Sequence, residues 1–311
     1  MRIYYTAFLF VGVTGLFGRF NFFSKSKDCG QSPVDKANDY EIRIIGGKEV
    51  TPHQYPWMVL FHYVGVNGHC GGSLIHPRYV LTAAHCDQEV PAYAQLGVHN
   101  VANASNTELI QVKRFIHYRK KNQADRPPNP YVRRNDIALV ELDRPVKFND
   151  RIHPICLGAF QNETKIRNFT VAGWGHTSED ASYFSGLGGI DTAELNAHDR
   201  ILPQPFYPVP IFIPVSPVLR HVDVALLNDA CGNLNRTKQI CAGSEKEEKD
   251  GCQGDSGGPL MMKFDQRYYI AGITSTNGGE KCGKGGIYTR VSFYLTWIEK
   301  IVKVKPNKVK N

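Results

Sequence analysis

Residues 251–259 read Gly251-Cys252-Gln253-Gly254-Asp255-Ser256-Gly257-Gly258-Pro259. A serine hydroxyl is a poor nucleophile at neutral pH unless a base takes its proton and nearby donors hold the charge its attack creates. Glycines on both sides of Ser256 let the chain turn sharply, so the amides of Gly254 and Ser256 can point at one developing oxyanion. Taken alone, the stretch also reads as a Gly-rich turn that contains a serine and an aspartate. It acquires chemistry only if a base lies elsewhere in the chain.

Two further stretches supply the missing groups. Residues 82–86 read Thr82-Ala83-Ala84-His85-Cys86, and residues 134–140 read Arg134-Asn135-Asp136-Ile137-Ala138-Leu139-Val140. By itself His85 is an ordinary core or surface histidine, and Asp136 an acid at the start of a strand. Together with Ser256 they stand in the order His, Asp, Ser, which distinguishes one branch of serine hydrolases from those with other triad orders.

From Ile44 to about Ile301 the chain resembles a trypsin/chymotrypsin-type serine protease. The resemblance is carried by Ile44-Ile45-Gly46-Gly47, Cys70-Gly71-Gly72-Ser73-Leu74-Ile75 and the His85 stretch. It continues with Asn135 to Leu139, Val171-Ala172-Gly173-Trp174-Gly175, the Ser256 stretch and Gly286-Ile287-Tyr288-Thr289-Arg290-Val291. It implies an all-β fold of two six-stranded antiparallel β-barrels with a C-terminal α-helix. Short apolar runs punctuated by Gly, Pro and Asn, such as Val59-Leu60-Phe61 and Tyr79-Val80-Leu81, read as strands. Tyr294, Trp297, Ile298 and Ile301 share one helical face, expected to pack on the second barrel.

The resemblance also implies roles. Ser256 attacks the scissile carbonyl, His85 carries the proton, and Asp136 orients and stabilises the imidazolium. Gly254 and Ser256 form the oxyanion hole, and Ser275 supports the aspartate. Asp250, six residues before Ser256, lies at the floor of the primary pocket and pairs with a substrate Arg or Lys. Gly251 and Gly286 leave the walls of that pocket open. The chain departs from the family after Ser275, where Thr276-Asn277 replaces the usual Trp-Gly; Gly278 is a candidate counterpart of that glycine. Arg43 before Ile44 matches the activation junction: cleavage frees the Ile44 ammonium to pair with Asp255 and order the oxyanion hole.

Domain organisation follows. Residues 1–18 read as a secretory signal, with Arg2 before an apolar stretch shorter than the roughly 20 residues of a spanning helix. Residues 19–43 form a propeptide and 44–311 the catalytic domain, with a proline-rich loop insert at 183–215. The chain contains eight cysteines, as expected of an extracellular protein; spacing alone leaves about 105 pairings open. The family implies Cys70–Cys86, Cys231–Cys241, Cys252–Cys282 and a tether from the propeptide, Cys29–Cys156. Asn103, Asn162, Asn168 and Asn235 open glycosylation sequons. No metal or cofactor is implied; Val98 stands where calcium-binding trypsins carry an acid, although Glu108 matches a later one.

The 311 residues carry a net charge of +8, with lysines concentrated in the C-terminal tail. Such a tail is usually a solvated face, but it also suits acidic polysaccharide. By resemblance, the partners are protein substrates with Arg or Lys at the cleaved position, an upstream trypsin-like activator, and serpin or Kunitz-type inhibitors; nucleic acid is not among them. The lone upstream Cys29 and the Arg43 trigger are similar to those of extracellular cascade proteases, including arthropod clip-type ones, although no clip module fits in the chain. Two alternatives stand beside this reading: a digestive trypsin, and a catalytically silent homologue acting as a binding cofactor.

Overall fold

The computed structural model describes residues 28–34, 48–66, 68–103, 105–118, 135–160, 166–175, 216–227, 231–232, 234–243, 256–277 and 285–309. A two-residue strand β1 (Lys48–Glu49) leads into the first barrel. That barrel is built from β2 (Met58–Tyr63), β3 (His69–His76), β4 (Tyr79–Thr82), β5 (Ala92–Leu96), β6 (Glu108–His117) and β7 (Ala138–Leu142). It closes in the order β2-β3-β4-β7-β6-β5, every pairing antiparallel. All residues of β2 are buried, because one face fills the barrel and the other is covered by the rest of the molecule.

A short strand β8 (Gly158–Phe160) follows, and then the second barrel: β9 (Asn168–Gly173), β10 (Arg220–Leu226), β11 (Gln239–Gly243), β12 (Pro259–Phe264), β13 (Arg267–Asn277) and β14 (Gly286–Arg290). Its order is β10-β11-β14-β13-β12-β9, closed by antiparallel pairing of β9 with β10. β1 adds to the outer edge of β10, so the sheet counts seven strands while the barrel closes with six. The two six-stranded antiparallel barrels expected from the sequence are therefore present. The helix α1 (Leu295–Val302) and a last strand β15 (Asn307–Val309) complete the described chain.

One apolar cluster fills the first barrel and crosses the seam to Met261, Ile270 and Ile273, while a second, which includes Val171, Ile240, Leu260 and Tyr288, lies in the second barrel. In the first cluster, Trp57 is fully buried just ahead of β2, and its indole N–H donates to Met261 Sδ on β12 at 3.1 Å. The Trp57 ring tilts against Tyr268 of β13 at 5.3 Å, and the Tyr55 hydroxyl bonds His221 Nδ1 of β10 at 2.6 Å. Aromatic rings bury large area at little rotamer cost, and their polar atoms find partners across the seam.

Two connections differ from the sequence expectation. α1 does not rest on the second barrel alone: Trp297 meets Tyr118, the residue after β6 of the first barrel, edge-on at 5.7 Å, and Tyr294 meets it at 4.9 Å. The reason is that its buried side chains are Leu295, Ile298 and Val302, which turn Trp297 toward the aromatic Tyr118. The C-terminal tail is not merely solvated either. β15 pairs in parallel with β8 and buries Val309, while Lys300, Lys303, Lys305 and Lys308 stay exposed.

β15 abuts the upstream tether. Cys29 is bonded to Cys156, and Asn307 Nδ2 lies 3.5 Å from Cys29 Sγ. The segment around Cys29 is clamped by Gly30 N–H to Pro154 O (2.8 Å), Tyr268 N–H to Gly30 O (2.9 Å) and Arg267 Nη1 to Cys29 O (2.9 Å). Gly30 has φ +64°, and a Cβ there would collide with Tyr268 O, so only glycine fits this groove.

The first barrel also carries an acid-sensitive group. His62 on β2 is buried and shares a 2.8 Å hydrogen bond with Gln95 Oε1; burial pulls its pKa down to about 4, against an upward pull from that bond. The native state therefore favours the neutral ring, while the unfolded chain protonates near pH 6.5. This contribution to stability is present above pH 6.5 and falls away as pH drops from 6.5 to 4, by about 3 kcal/mol in all. We predict that His62→Gln makes urea-unfolding free energies fall less steeply over that window. A slope equal to wild type contradicts it.

Candidate active site

His85 lies in a single 3-10 turn, Ala84–Cys86, directly after β4. The turn is held from three sides. Cys86 is bonded to Cys70 on β3, the Tyr63 hydroxyl donates to Cys86 O at 2.6 Å, and Gln88 Nε2 donates to His85 O at 3.0 Å. Asp136 precedes β7, after Asn135, which adopts φ +53°. Asparagine tolerates that left-handed backbone. Its Oδ1 accepts from Lys238 Nζ and from the Tyr294 hydroxyl, each at 3.1 Å, which holds the turn in place.

The two residues meet inside the protein. Asp136 is 3 % exposed, and one carboxylate oxygen, Oδ1, accepts from the His85 backbone N–H at 3.0 Å. Its other oxygen, Oδ2, accepts from His85 Nδ1–H at 2.8 Å and from Ser275 Oγ–H at 2.5 Å. A carboxylate so buried needs this full set of donors, because each lost bond would leave charge in a poorly solvating interior. The Nδ1–H bond fixes the tautomer, leaving Nε2 as the acceptor nitrogen of a neutral ring.

Ser275 reaches Asp136 because the β13–β14 register shifts between Thr274 and Thr276, which leaves Ser275 as the extra residue of a bulge. Bulges re-aim side chains in this way. Beyond it Thr276 pairs with Ile287, and the Asn277 backbone with Gly286. Gly286 is buried on β14, also paired with Ala242 of β11.

Ser256 comes from the second barrel, on the turn into β12. The turn is fastened to both barrels: Gly71 N–H on β3 donates to Ser256 O at 2.7 Å, and Gly257 N–H donates to Thr274 O on β13 at 2.9 Å. Gly257 has φ +80°, and a Cβ there would meet Thr82 Oγ1 and, at 2.5 Å, Gly71 O. Among the described residues, Ser256 Oγ makes no hydrogen bond to His85. Such bonds are often long or absent before substrate binds.

Other expected residues lie outside the described residues: Asp250, Gly251, Gly254, Asp255, Arg43, Ile44, Asn162, the pair Cys252–Cys282, and the segments 1–18 and 183–215. Three disulfides are present among the described residues, Cys29–Cys156, Cys70–Cys86 and Cys231–Cys241. Cys70, Cys86 and His85 place their ligand atoms within 4.8 Å of one another, but the two sulfurs are bonded to each other and offer no thiolate to a metal. At the first residue of β6, Glu108 pairs with Arg144 at 3.1 Å, so a guanidinium already faces that carboxylate. Asn103, Asn168 and Asn235 are exposed. No helix among the described residues is long and apolar enough to cross a membrane.

Two closed barrels, with a histidine–aspartate pair on one and a glycine-flanked serine on the other, define a chymotrypsin-like serine protease fold. The chain belongs to the trypsin family, whose sequence profile, described as Trypsin, matches residues 44–190 and 214–298. It is 34 % identical over 269 residues to coagulation factor IX of Oryctolagus cuniculus, covering 84 % of this chain and 86 % of that protein. Melanization protease 1 of Drosophila melanogaster is 34 % identical over 309 residues, covering 89 % of this chain and 68 % of its own length. Clotting factor G beta subunit of Tachypleus tridentatus is 33 % identical over 307 residues, covering 88 % and 82 %.

Sequence reasoning missed the bulge at Ser275 and the Asn135 turn. The positive φ at Asn135 had one signal, an asparagine immediately before the acid. We predict that Gly257→Ala displaces Ser256 from His85 and lowers kcat about 100-fold, with KM little changed. Steady-state kinetics on the activated protein check this; wild-type kcat in the variant contradicts it.

Proposed function

We propose that this chain is a secreted serine endopeptidase made as a zymogen, activated by cleavage after Arg43, and cutting after Arg or Lys in an extracellular proteolytic cascade. The observation that carries the reading is the buried Asp136 network, which gives His85 one tautomer and faces it toward the serine-bearing barrel. Ser256 Oγ attacks the substrate carbonyl carbon while His85 Nε2 takes its proton. The resulting imidazolium is stabilised by Asp136, which stays ionised. His85 then returns the proton to the departing amine, the C–N bond breaks, and water releases the acyl group by the same steps in reverse order. The amides of Gly254 and Ser256 hold the oxyanion.

Basic specificity rests on Asp250, whose carboxylate suits a guanidinium or ammonium at the pocket floor. Zymogen activation rests on Arg43 and the Ile44-Ile45-Gly46-Gly47 stretch, with Ile44 pairing to Asp255. The clamped Cys29–Cys156 tether supports a propeptide that stays attached after cleavage. The names of the relatives, two clotting factors and a melanization protease, support a cascade role. Secretion and glycosylation at Asn103, Asn168 or Asn235 are favoured by the disulfides and the exposed sequons. The break in the family match between residues 190 and 214 favours an insert within 183–215. The exposed tail lysines suit acidic polysaccharide.

A competing reading as a silent homologue rests on the insert within 183–215 and on Thr276-Asn277, where the family carries Trp-Gly. Hydrolysis of an Arg-ended peptide anilide, before and after limited cleavage at Arg43, separates the two. Activity is expected only after cleavage, with Ser256→Ala lowering it on the order of a million-fold. A confirmed Ile44 N-terminus without activity overturns the enzyme reading.

A further inference from the structure

Asp136 is the middle residue of a three-residue turn, closed by the Ile137 N–H donating to Asn135 O at 2.8 Å. In so tight a turn the peptides on either side set where the central side chain points. Whatever fixes Asn135 therefore fixes the carboxylate, and a lysine from the other barrel grips Asn135. Lys238 Nζ donates to Asn135 Oδ1 at 3.1 Å, across 103 residues of sequence.

An amide oxygen has two lone pairs, and both are taken here, one by Lys238 and one by the Tyr294 hydroxyl, also at 3.1 Å. An ammonium can only donate, so the atom that it faces is the amide oxygen and not the nitrogen. The charged donor makes the stronger of the two bonds. The same ammonium lies 4.9 Å from the centre of the Phe293 ring, a cation–π contact that limits where it can go.

Lys238 is itself held in place. It stands directly before β11, in the loop closed by Cys231–Cys241. Its N–H donates to Asn235 O and its carbonyl accepts from the Arg290 N–H of β14, each at 2.8 Å. The next residue, Gln239, pairs with Thr289, which donates to the Asp136 carbonyl at 2.8 Å. One corner of the second barrel, where β11 meets β14, thus holds both Asn135 and Asp136.

We propose that Lys238 is a positioning residue for the reaction: through Asn135 it sets the direction of the Asp136 carboxylate, and hence the bond to His85 Nδ1–H. The inference rests on the reading of His85 and Asp136 as the catalytic pair. It gives the disulfide loop of the second barrel a hold on the histidine of the first.

The test is Lys238→Met, which keeps an unbranched stem and removes the ammonium, alone and combined with Asn135→Gly. Glycine removes Oδ1 and accepts the positive φ. Proton NMR of the uncleaved chain carrying Ser256→Ala reads the downfield His85 Nδ1 proton at fixed pH, with no turnover needed. That resonance is expected to move upfield and broaden in each single variant, with no further change when the two are combined. In the Arg43-cleaved protein with Ser256 intact, Lys238→Met is expected to lower kcat roughly tenfold and leave KM within about twofold. Circular dichroism checks that each variant folds. A wild-type Nδ1 proton in folded Lys238→Met, or additive changes in the combined variant, overturns the proposal. Inactivity of the cleaved wild-type protein overturns the catalytic reading instead, and the NMR result still decides whether Lys238 controls the pair.

Discussion

The structure depends on one buried carboxylate. Asp136 sits two residues before β7 of the first barrel, yet it accepts from Ser275 on β13 of the second, and its own backbone carbonyl accepts from Thr289 Oγ1 on β14 at 2.8 Å. Its partner His85 lies 51 residues upstream and Ser275 139 residues downstream. The charge is tolerable only when both barrels are folded and docked, because removing one partner of such a group costs on the order of 3–5 kcal/mol. The requirement that keeps Asp136 solvated by protein thus also fixes the relation of the barrels at the cleft.

The serine side of the cleft obeys a matching steric constraint. The turn at Ser256 enters the seam so closely that its backbone bonds Gly71 of β3, and Gly257 occupies a space with no room for a side chain. The Cys70–Cys86 disulfide borders the same space and anchors the His85 turn to β3. Electrostatics position His85 and packing positions Ser256, and both act across the same interface. Trp57, bonded to Met261, fills the core behind them.

Much of this was legible in sequence, for identifiable reasons. His85, Asp136 and Ser256 each sit in flanks whose small or apolar residues serve the local turn, so the flanks survive as text. The strands at Val59–Phe61 and Tyr79–Leu81 announce themselves as short apolar runs between turn residues. What stayed hidden depends on tertiary register. The bulge that aims Ser275 is a mismatch between two strands, which neither strand encodes alone. Trp297 reads as one face of a helix, but only the folded chain brings Tyr118 to it. The strand Asn307–Val309 looks like a lysine-rich tail, and becomes a strand because β8 offers it an edge beside Cys29.

The central claim is that Ser256 is activated by His85 through the Asp136 network spanning the barrels. Its most direct measurement is labelling of the Arg43-cleaved protein with a guanidine-bearing phosphonate ester, the adduct being located by peptide mass spectrometry. The account predicts a single adduct on Ser256, formed far more slowly in His85→Ala and in Asp136→Asn. An adduct on another residue, or labelling of Ser256 at an unchanged rate in both variants, would contradict it.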